Sequence, residues 1–161
     1  MVPSEIIYLK DMQTKKVWSL GLNPMPDSKN YNVIYGFGYT KYIHKSDGLE
    51  QELEVFVPKE DSVKIQILKL KNTTLNRKKI KIVYYMKPVL GEDEIKTNGY
   101  INLKYDANNN IICAQNLYNS EFANDVIYVS NSEKIKSYTG NKNFFIGEGN
   151  LSNPESLKFT S

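Results

Sequence analysis

The clearest pattern of apolar and polar positions runs from Leu49 to Val57, in the segment LEQELEVFV. Apolar side chains two residues apart lie on one face of a strand, and the glutamates between them lie on the other. The pattern predicts one buried face and one solvated face, made of Leu49, Leu53, Val55 and Val57 and of Glu50, Glu52 and Glu54 respectively. Pro58 ends the strand because it has no N–H to donate to a neighbouring strand.

The segment before it also has a period of two. Tyr35, Phe37 and Tyr39 alternate with two glycines, so we expect one strand with three rings on one face and a large neighbour against the other. Asp47-Gly48 predicts a tight turn, because glycine supplies the positive φ that such turns need. We therefore predict that residues 31–58 form a hairpin of two long strands, with His44 exposed near its turn.

Short strand-like segments continue along the chain, separated by residues that favour turns. They cover residues 5–10, 17–19, 63–72, 79–87, 100–105, 110–115 and 122–130. A short helical turn is expected at 132–137, but the chain has no amphipathic helix of useful length. Strands at roughly ten-residue spacing predict an all-β fold, an antiparallel β-sandwich. We expect one domain over residues 1–161, with no internal boundary.

The composition of the chain argues against several classes of ligand and partner. The formal charge is +3, from 21 basic and 18 acidic residues, a surplus too small to indicate nucleic-acid binding. Cys113 and His44 are the only residues of their types, which excludes a four-ligand zinc site within one chain. The N-terminus has no apolar signal region, and no apolar run reaches the roughly 18 residues of a membrane span. We expect a cytoplasmic protein without a metal or cofactor.

Candidate chemistry is sparse. The sequence contains no phosphate-binding glycine loop and no nucleophile motif. Glu92, Asp93 and Glu94 could hold a metal or form an acid–base pair, but adjacent carboxylates do not converge on one point, which favours a solvated loop. No catalytic residue is predicted. The 12 Tyr, 6 Phe and 1 Trp allow two interpretations. Trp18, Tyr35 and Tyr39, with Phe37, form either a sugar-stacking platform or the sandwich core, and periodicity alone favours the core.

Six segments in a fixed order resemble a known family. They are IIYLKDMQTKKVWS (6–19), GFGYT (36–40), DGLEQELEVFVP (47–58), VKIQILKLKN (63–72), FFIGEGNLS (144–152) and NPESL (153–157). Their order and spacing resemble the N-terminal β-sandwich of glycoside hydrolase family 94. That family comprises carbohydrate phosphorylases and cyclic β-1,2-glucan synthases once classed as family 36 glycosyltransferases. The resemblance covers nearly all the chain and implies a super-sandwich of the galactose-mutarotase-like type.

The resemblance also implies a function. In that family a helical linker and an (α/α)₆ barrel follow the sandwich, and the barrel carries the general acid and the phosphate site. The sandwich shapes the mouth of the active site and contributes to dimer contacts. The chain would then be a non-catalytic, partial domain whose partners are a β-glucan oligosaccharide, the barrel of its parent enzyme and a second copy. Further strands are expected before Ile6 and the barrel after Ser161.

The sequence departs from the family pattern at two adjacent positions. Ile34 and Tyr35 stand where the family usually has Arg-His before its Gly-x-Gly-Tyr-Thr motif, so any role of that basic pair does not carry over. Two other functions stay open. One is a stand-alone carbohydrate-binding module that uses Trp18 and the rings of 35–39, and the other is a purely structural, dimerising sandwich. The neighbouring coding sequence would distinguish them.

Overall fold

The computed structural model describes residues 3–97, 99–118, 120–121 and 123–159. Among these residues the regular elements are mostly strands: β1 (Glu5–Asp11), β2 (Val17–Ser19), β3 (Tyr31–Tyr35), β4 (Tyr39–Ser46), β5 (Leu49–Phe56), β6 (Ile65–Asn72), β7 (Ile80–Met86), β8 (Ile101–Asp106), β9 (Ile111–Asn116) and β10 (Val126–Ser130). Two short α-helices, α1 (Glu94–Thr97) and α2 (Lys142–Ile146), and a 3-10 turn (Glu155–Leu157) complete the set. The all-β prediction is confirmed. The helical turn expected at 132–137 is wrong, because that segment contains only bends and irregular backbone.

Neither described helix is long enough to cross a membrane, since α1 has 4 residues and α2 has 5. The chain forms two compact units. The first unit is Met1–Tyr85 with Ile146–Ser161, and the second unit is Met86–Phe145. The expectation of one domain with no internal boundary stays a prediction.

The first unit contains two sheets. One has the strand order β2-β1-β7 and the other has the order β3-β4-β5-β6. Its central hairpin, β4–β5, closes between Ser46 and Leu49. The two residues of the turn, Asp47 and Gly48, have φ values of 49° and 73°. Positive φ at both positions belongs to the type I′ turn that fits the twist of paired strands, which confirms the turn predicted at Asp47-Gly48.

The core of the first unit lies between these two sheets. Buried Leu9, Trp18, Leu20, Leu49 and Leu53 form one cluster, and partly buried side chains from both sheets pack against it: Ile7, Tyr42, Val55, Leu68, Leu70 and Ile80. Side chains from two sheets that share one core define a sandwich, as predicted. Four residues were predicted to lie on the buried face of strand β5, and the prediction is wrong for Val57. It lies beyond the end of β5 and is 61% exposed.

The strand expected across Tyr35, Phe37 and Tyr39 is also wrong, because the chain reverses there. β3 ends at Tyr35 and β4 begins at Tyr39, and the Gly36 N–H donates to the Tyr39 carbonyl at 2.9 Å. Gly38 has a φ of 84°, a backbone conformation that glycine adopts readily and residues with a side chain rarely adopt. The large neighbour expected near these glycines is the ring of Tyr39, which fills the space of any Cβ at Gly36.

The second unit contains one sheet, with the order β10-β9-β8. The hairpin predicted from 100–105 and 110–115 is confirmed, with each strand displaced by one residue. The side chain of Asp106 accepts hydrogen bonds from the backbone N–H groups of Asn108 and Asn109, at 2.9 and 3.2 Å. Aspartate favours such turns because its carboxylate caps the backbone. The strand expected over 122–130 is Val126–Ser130, and Phe122 lies outside the described residues.

Candidate functional site

The turn between β3 and β4 carries three exposed rings, Tyr35, Phe37 and Tyr39, which we call the aromatic tip. Phe37 is fully exposed, Tyr35 is 81% exposed and Tyr39 is 38% exposed. The interpretation of these rings as core is therefore wrong. Large exposed apolar groups that lie side by side are typical of interaction surfaces. The tip is the feature of the first unit most suited to contact a ligand or another chain.

Trp18 does not belong to this surface. Its side chain is 1% exposed, and its indole N–H donates to the Oε1 atom of Gln51 at 3.0 Å. A ring enclosed in this way has no free face for a ligand. The expected platform that joins Trp18 to Tyr35 and Tyr39 is therefore wrong in its geometry, because Trp18 is a core residue. Sugar binding at Tyr35 and Tyr39 stays a prediction.

The base of the same hairpin is held by a group that we call the buried polar cluster: Asp27, Tyr31 and His44. The rings of Tyr31 and His44 are stacked, with their centroids 3.9 Å apart and an angle of 5° between their planes. The Nδ1 atom of His44 lies 2.9 Å from the Asn30 carbonyl oxygen, and Nε2 lies 3.2 Å from Asp27 Oδ1. His44 is 2% exposed, so the expectation that it is exposed is wrong.

Asp27 carries a charge inside this cluster. Burial alone would raise its pKa, but the polar groups around it, Ser46, the Lys29 N–H, His44 and Lys16, hold the pKa well below the usual range of a carboxyl. The Lys16 ammonium lies 3.3 Å from Asp27 Oδ2. The side chains of Asp27 and His44 are 0% and 1% exposed, so a substrate has no access to them. The cluster anchors the loop that contains Asp27 to β3 and β4.

The glutamates of β5 lie outside the core and are all partly exposed. Lys45 lies 2.9 Å from Glu50, and Lys41 and Lys69 lie 3.2 and 3.1 Å from Glu52. Hydrogen bonds from these lysines lower the pKa of both carboxyls. A general acid in glycoside cleavage needs a raised pKa so that it keeps its proton near neutral pH. These residues are suited to a solvated, ion-paired strand face.

The acidic loop of the second unit is also neutralised by lysines. Lys96 lies 2.6 Å from Glu92 and 3.8 Å from Asp93, and Lys87 pairs with Glu94. Across the described residues, no group of three or more His, Cys, Asp and Glu side chains is placed to hold a metal ion. This arrangement agrees with the solvated-loop interpretation of the segment.

Sequence reasoning missed a second aromatic site, which we call the tyrosine pocket. It is a cavity of about 310 Å³ in the second unit, lined by Glu92, Lys96, Tyr100, Asn116, Tyr118 and Ser120. The rings of Tyr100 and Tyr118 are stacked, with centroids 4.2 Å apart and planes 9° apart. These two tyrosines are 18 positions apart in the sequence. In the sequence, the predicted hairpin of residues 100–105 and 110–115 is the feature that indicates that Tyr100 and Tyr118 lie close together.

Comparison with known proteins adds a family and three relatives. Residues 2–160 match the family described as glycosyl hydrolase 94, supersandwich domain. The chain is 23% identical to the cyclic beta-(1,2)-glucan synthase NdvB of Rhizobium meliloti (strain 1021), over 96% of this chain and 6% of the relative. It is 22% identical to the N,N'-diacetylchitobiose phosphorylases of Vibrio furnissii and Vibrio proteolyticus, over 90% of this chain and 19% of each relative. The chain therefore spans a small part of the length of these relatives.

Proposed function

Because the chain belongs to the family of glycosyl hydrolase 94 supersandwich domains, we propose that it is the non-catalytic sandwich portion of a carbohydrate phosphorylase or a cyclic β-1,2-glucan synthase. In this role it shapes the mouth of a sugar site on an (α/α)₆ barrel of the parent enzyme and contributes to dimer contacts. Its partners are a β-glucan oligosaccharide, that barrel and a second copy. The cytoplasm is the expected compartment.

The observation that carries this proposal is the exposure of the aromatic tip, with Phe37 fully exposed and Tyr35 at 81%. Aromatic rings are apolar on their faces and suit the C–H faces of a sugar ring. Exposed rings in a monomer are unfavourable unless another surface covers them. A sugar bound at the mouth of a neighbouring barrel would supply that cover.

The tip is also built to hold its position. The Gly36 N–H donates to the Tyr39 carbonyl at 2.9 Å, and the buried polar cluster fixes the other end of the same hairpin, where Tyr31 pairs with His44. A contact surface that is ordered before binding loses less conformational entropy when the ligand arrives. Contact through Ile34 and Tyr35, where the family usually has Arg-His, would depend on stacking rather than on charge.

The non-catalytic part of the proposal is supported by the carboxylates. Glu50 and Glu52 have lowered pKa values because of their lysine partners, and Asp27 is buried. A glycosidase needs one carboxyl with a raised pKa and a second group across a cleft. Glu50, Glu52 and Asp27 are suited to neither task, so catalysis is assigned to the barrel.

Dimer contacts are supported by the edge strand β3. It lies at one end of the order β3-β4-β5-β6, and the segment YNVIY has no charged residue. Ile34 on this strand is 45% exposed. Edge strands without charge are prone to pair with a strand of another chain, because their backbone groups are open on one side.

The test uses the full-length parent enzyme with Phe37→Ala or Tyr35→Ala. We expect kcat/KM for cleavage of its β-glucan to fall about tenfold, the size of one lost stacking contact, with an unchanged thermal midpoint. Leu75→Ala is the matched control, because Leu75 is fully exposed on a different turn of the same unit. An unchanged kcat/KM in both tip variants would refute the role of the tip.

The same exposed rings favour a second candidate, a stand-alone carbohydrate-binding module. The coding sequence distinguishes the two functions. A barrel domain encoded in the same reading frame supports the sandwich portion of a larger enzyme, and a reading frame without a barrel supports the stand-alone module.

A further inference from the structure

We propose that the tyrosine pocket of the second unit binds one pyranose ring of a β-linked oligosaccharide, through residues distinct from those of the aromatic tip. The choice of a sugar as the ligand rests on the proposed function, whereas the site itself rests on the geometry of the pocket. The pocket would give the parent enzyme a second point of contact with its glycan.

Two stacked tyrosines line the pocket. Tyr100 and Tyr118 stack at 4.2 Å, so each ring uses one face on the other and keeps its second face. Tyr100 is 48% exposed and Tyr118 is 75% exposed. Both tyrosines are therefore partly open to solvent, and a pyranose ring stacks on an exposed aromatic face through its C–H groups.

The fold holds this pair of tyrosines in place. Tyr100 directly precedes β8 and Tyr118 follows β9, and the register Ile101↔Asn116 brings these strand ends together. Buried Asn116 donates from Nδ2 to the Leu90 carbonyl at 2.8 Å, and its Oδ1 accepts from the Tyr118 N–H at 3.1 Å. The residue that supports Tyr118 is thus itself fixed, as a preformed binding site requires.

Polar side chains line the pocket beside the tyrosines. The Lys96 ammonium and the Glu92 carboxylate lie 2.6 Å apart beside the rings, and Ser120 adds a hydroxyl. Sugar hydroxyls both donate and accept, so they bind a carboxylate and an ammonium equally well. Together these groups and the rings present the mixed apolar and polar surface that a sugar ring matches.

The charge and the volume of the pocket favour a small neutral ligand. Lys96 lies within 4 Å of both Glu92 and Asp93, so its charge is already balanced and the pocket does not favour an anion. The volume of about 310 Å³ lies at the lower end of the range for small-ligand sites, roughly 300–1,000 Å³. A neutral ligand about the size of one ring fits both conditions.

The experiment is a titration of the 161-residue chain with sophorose, cellobiose and N,N'-diacetylchitobiose, followed by NMR chemical shifts. We expect saturable binding of at least one disaccharide, weakened about tenfold by Tyr118→Ala. Tyr118→Phe keeps the ring and is expected to bind normally. Tyr128→Ala is the matched control, because Tyr128 is a 53% exposed tyrosine of β10 in the same unit.

Two outcomes would overturn the inference. They are no saturation by any of the three sugars, and binding that Tyr118→Ala leaves intact, including binding that Phe37→Ala abolishes. The last outcome keeps the proposed function and removes the pocket. The reverse result, binding that depends on Tyr118 in a parent enzyme whose kcat/KM ignores the tip, keeps the pocket and removes the tip. If Tyr118→Ala does not fold, Glu92→Gln replaces it and is expected to weaken binding.

Discussion

Trp18 lies in the core rather than on the surface because its one polar atom has a partner there. The indole N–H donates to Gln51 Oε1 at 3.0 Å, and both side chains are almost fully buried. A buried donor that loses its acceptor costs about 1–3 kcal/mol of stability. We therefore expect Gln51→Leu to lower the free energy of unfolding by that amount, measured by urea denaturation.

The matched control for this prediction is a double-mutant cycle. Trp18→Phe removes the donor, so Gln51→Leu should cost less in that background than in the wild type. Strict additivity of the two changes would contradict the hydrogen bond as the cause.

Asp27 gives a prediction about acid stability. Its folded pKa is lowered by its hydrogen bonds although burial opposes the shift, so the stability it contributes is fully present above the unfolded pKa of about 3.9. That contribution is lost as the pH falls through the lower, folded pKa. We expect the unfolding free energy of the wild type to fall more steeply below about pH 5 than that of Asp27→Asn. The measurement is urea denaturation at pH 7, 5 and 3, and equal slopes would contradict the prediction.

Individual residues differ in how far the sequence predicts them. Leu49 and Leu53 were predictable, because their burial follows from the period of their own strand. The burial of His44 was not predicted, because it depends on Asp27, a partner far along the chain. For Trp18 the periodicity favoured the core but left a surface platform open, and its partner Gln51 also lies far along the chain. Local periodicity contains no information about such pairs.

The two faces of strand β5 provide a simple test of the sandwich. Leu53 is 8% exposed within the core cluster, whereas Glu52 is paired with Lys41 and Lys69 at the surface. Leu53→Ala is expected to lower the free energy of unfolding by about 2–5 kcal/mol. Glu52→Ala should change it by about 0.5 kcal/mol, because surface ion pairs contribute little. Urea midpoints that move equally in the two variants would rule out this register.

The hairpin turns show why some elements were predictable and others were not. Asp47-Gly48 was predicted because both residues tolerate the positive φ that a two-residue turn demands. At Gly36 and Gly38 the sequence predicts a strand, since alternation with Tyr35, Phe37 and Tyr39 also suits an extended segment. Glycine fits both conformations, so the spacing alone could not reveal the turn.

At the scale of the whole molecule, the order of the strand-like segments predicted both the β-sandwich and its family, because that order spans nearly the whole chain. The two compact units and the tyrosine pocket were not predicted. Each depends on contacts between residues far apart in the sequence, which alternation of apolar and polar positions does not encode.

The open edge at β3 predicts weak self-association of the isolated chain. Its strand has no charge, and Ile34 and Tyr35 are exposed on it. Ile34→Lys should shift the chain toward monomer, because a charged side chain discourages edge pairing. Analytical ultracentrifugation over a range of concentrations measures this, and Leu75→Lys is the control at an exposed apolar residue outside the strands. A wild-type monomer at every concentration would contradict the prediction.

We propose that this chain supports glycan chemistry without performing it. The direct measurement is an assay of the purified chain with sophorose, cellobiose and β-1,2-glucan, with and without inorganic phosphate, for free glucose 1-phosphate. Because Glu50 and Glu52 are ion-paired with lowered pKa values and Asp27 is enclosed, we expect no release above the blank. Phosphate-dependent release that disappears when one carboxylate of this chain is replaced by its amide would show that the chain itself is catalytic.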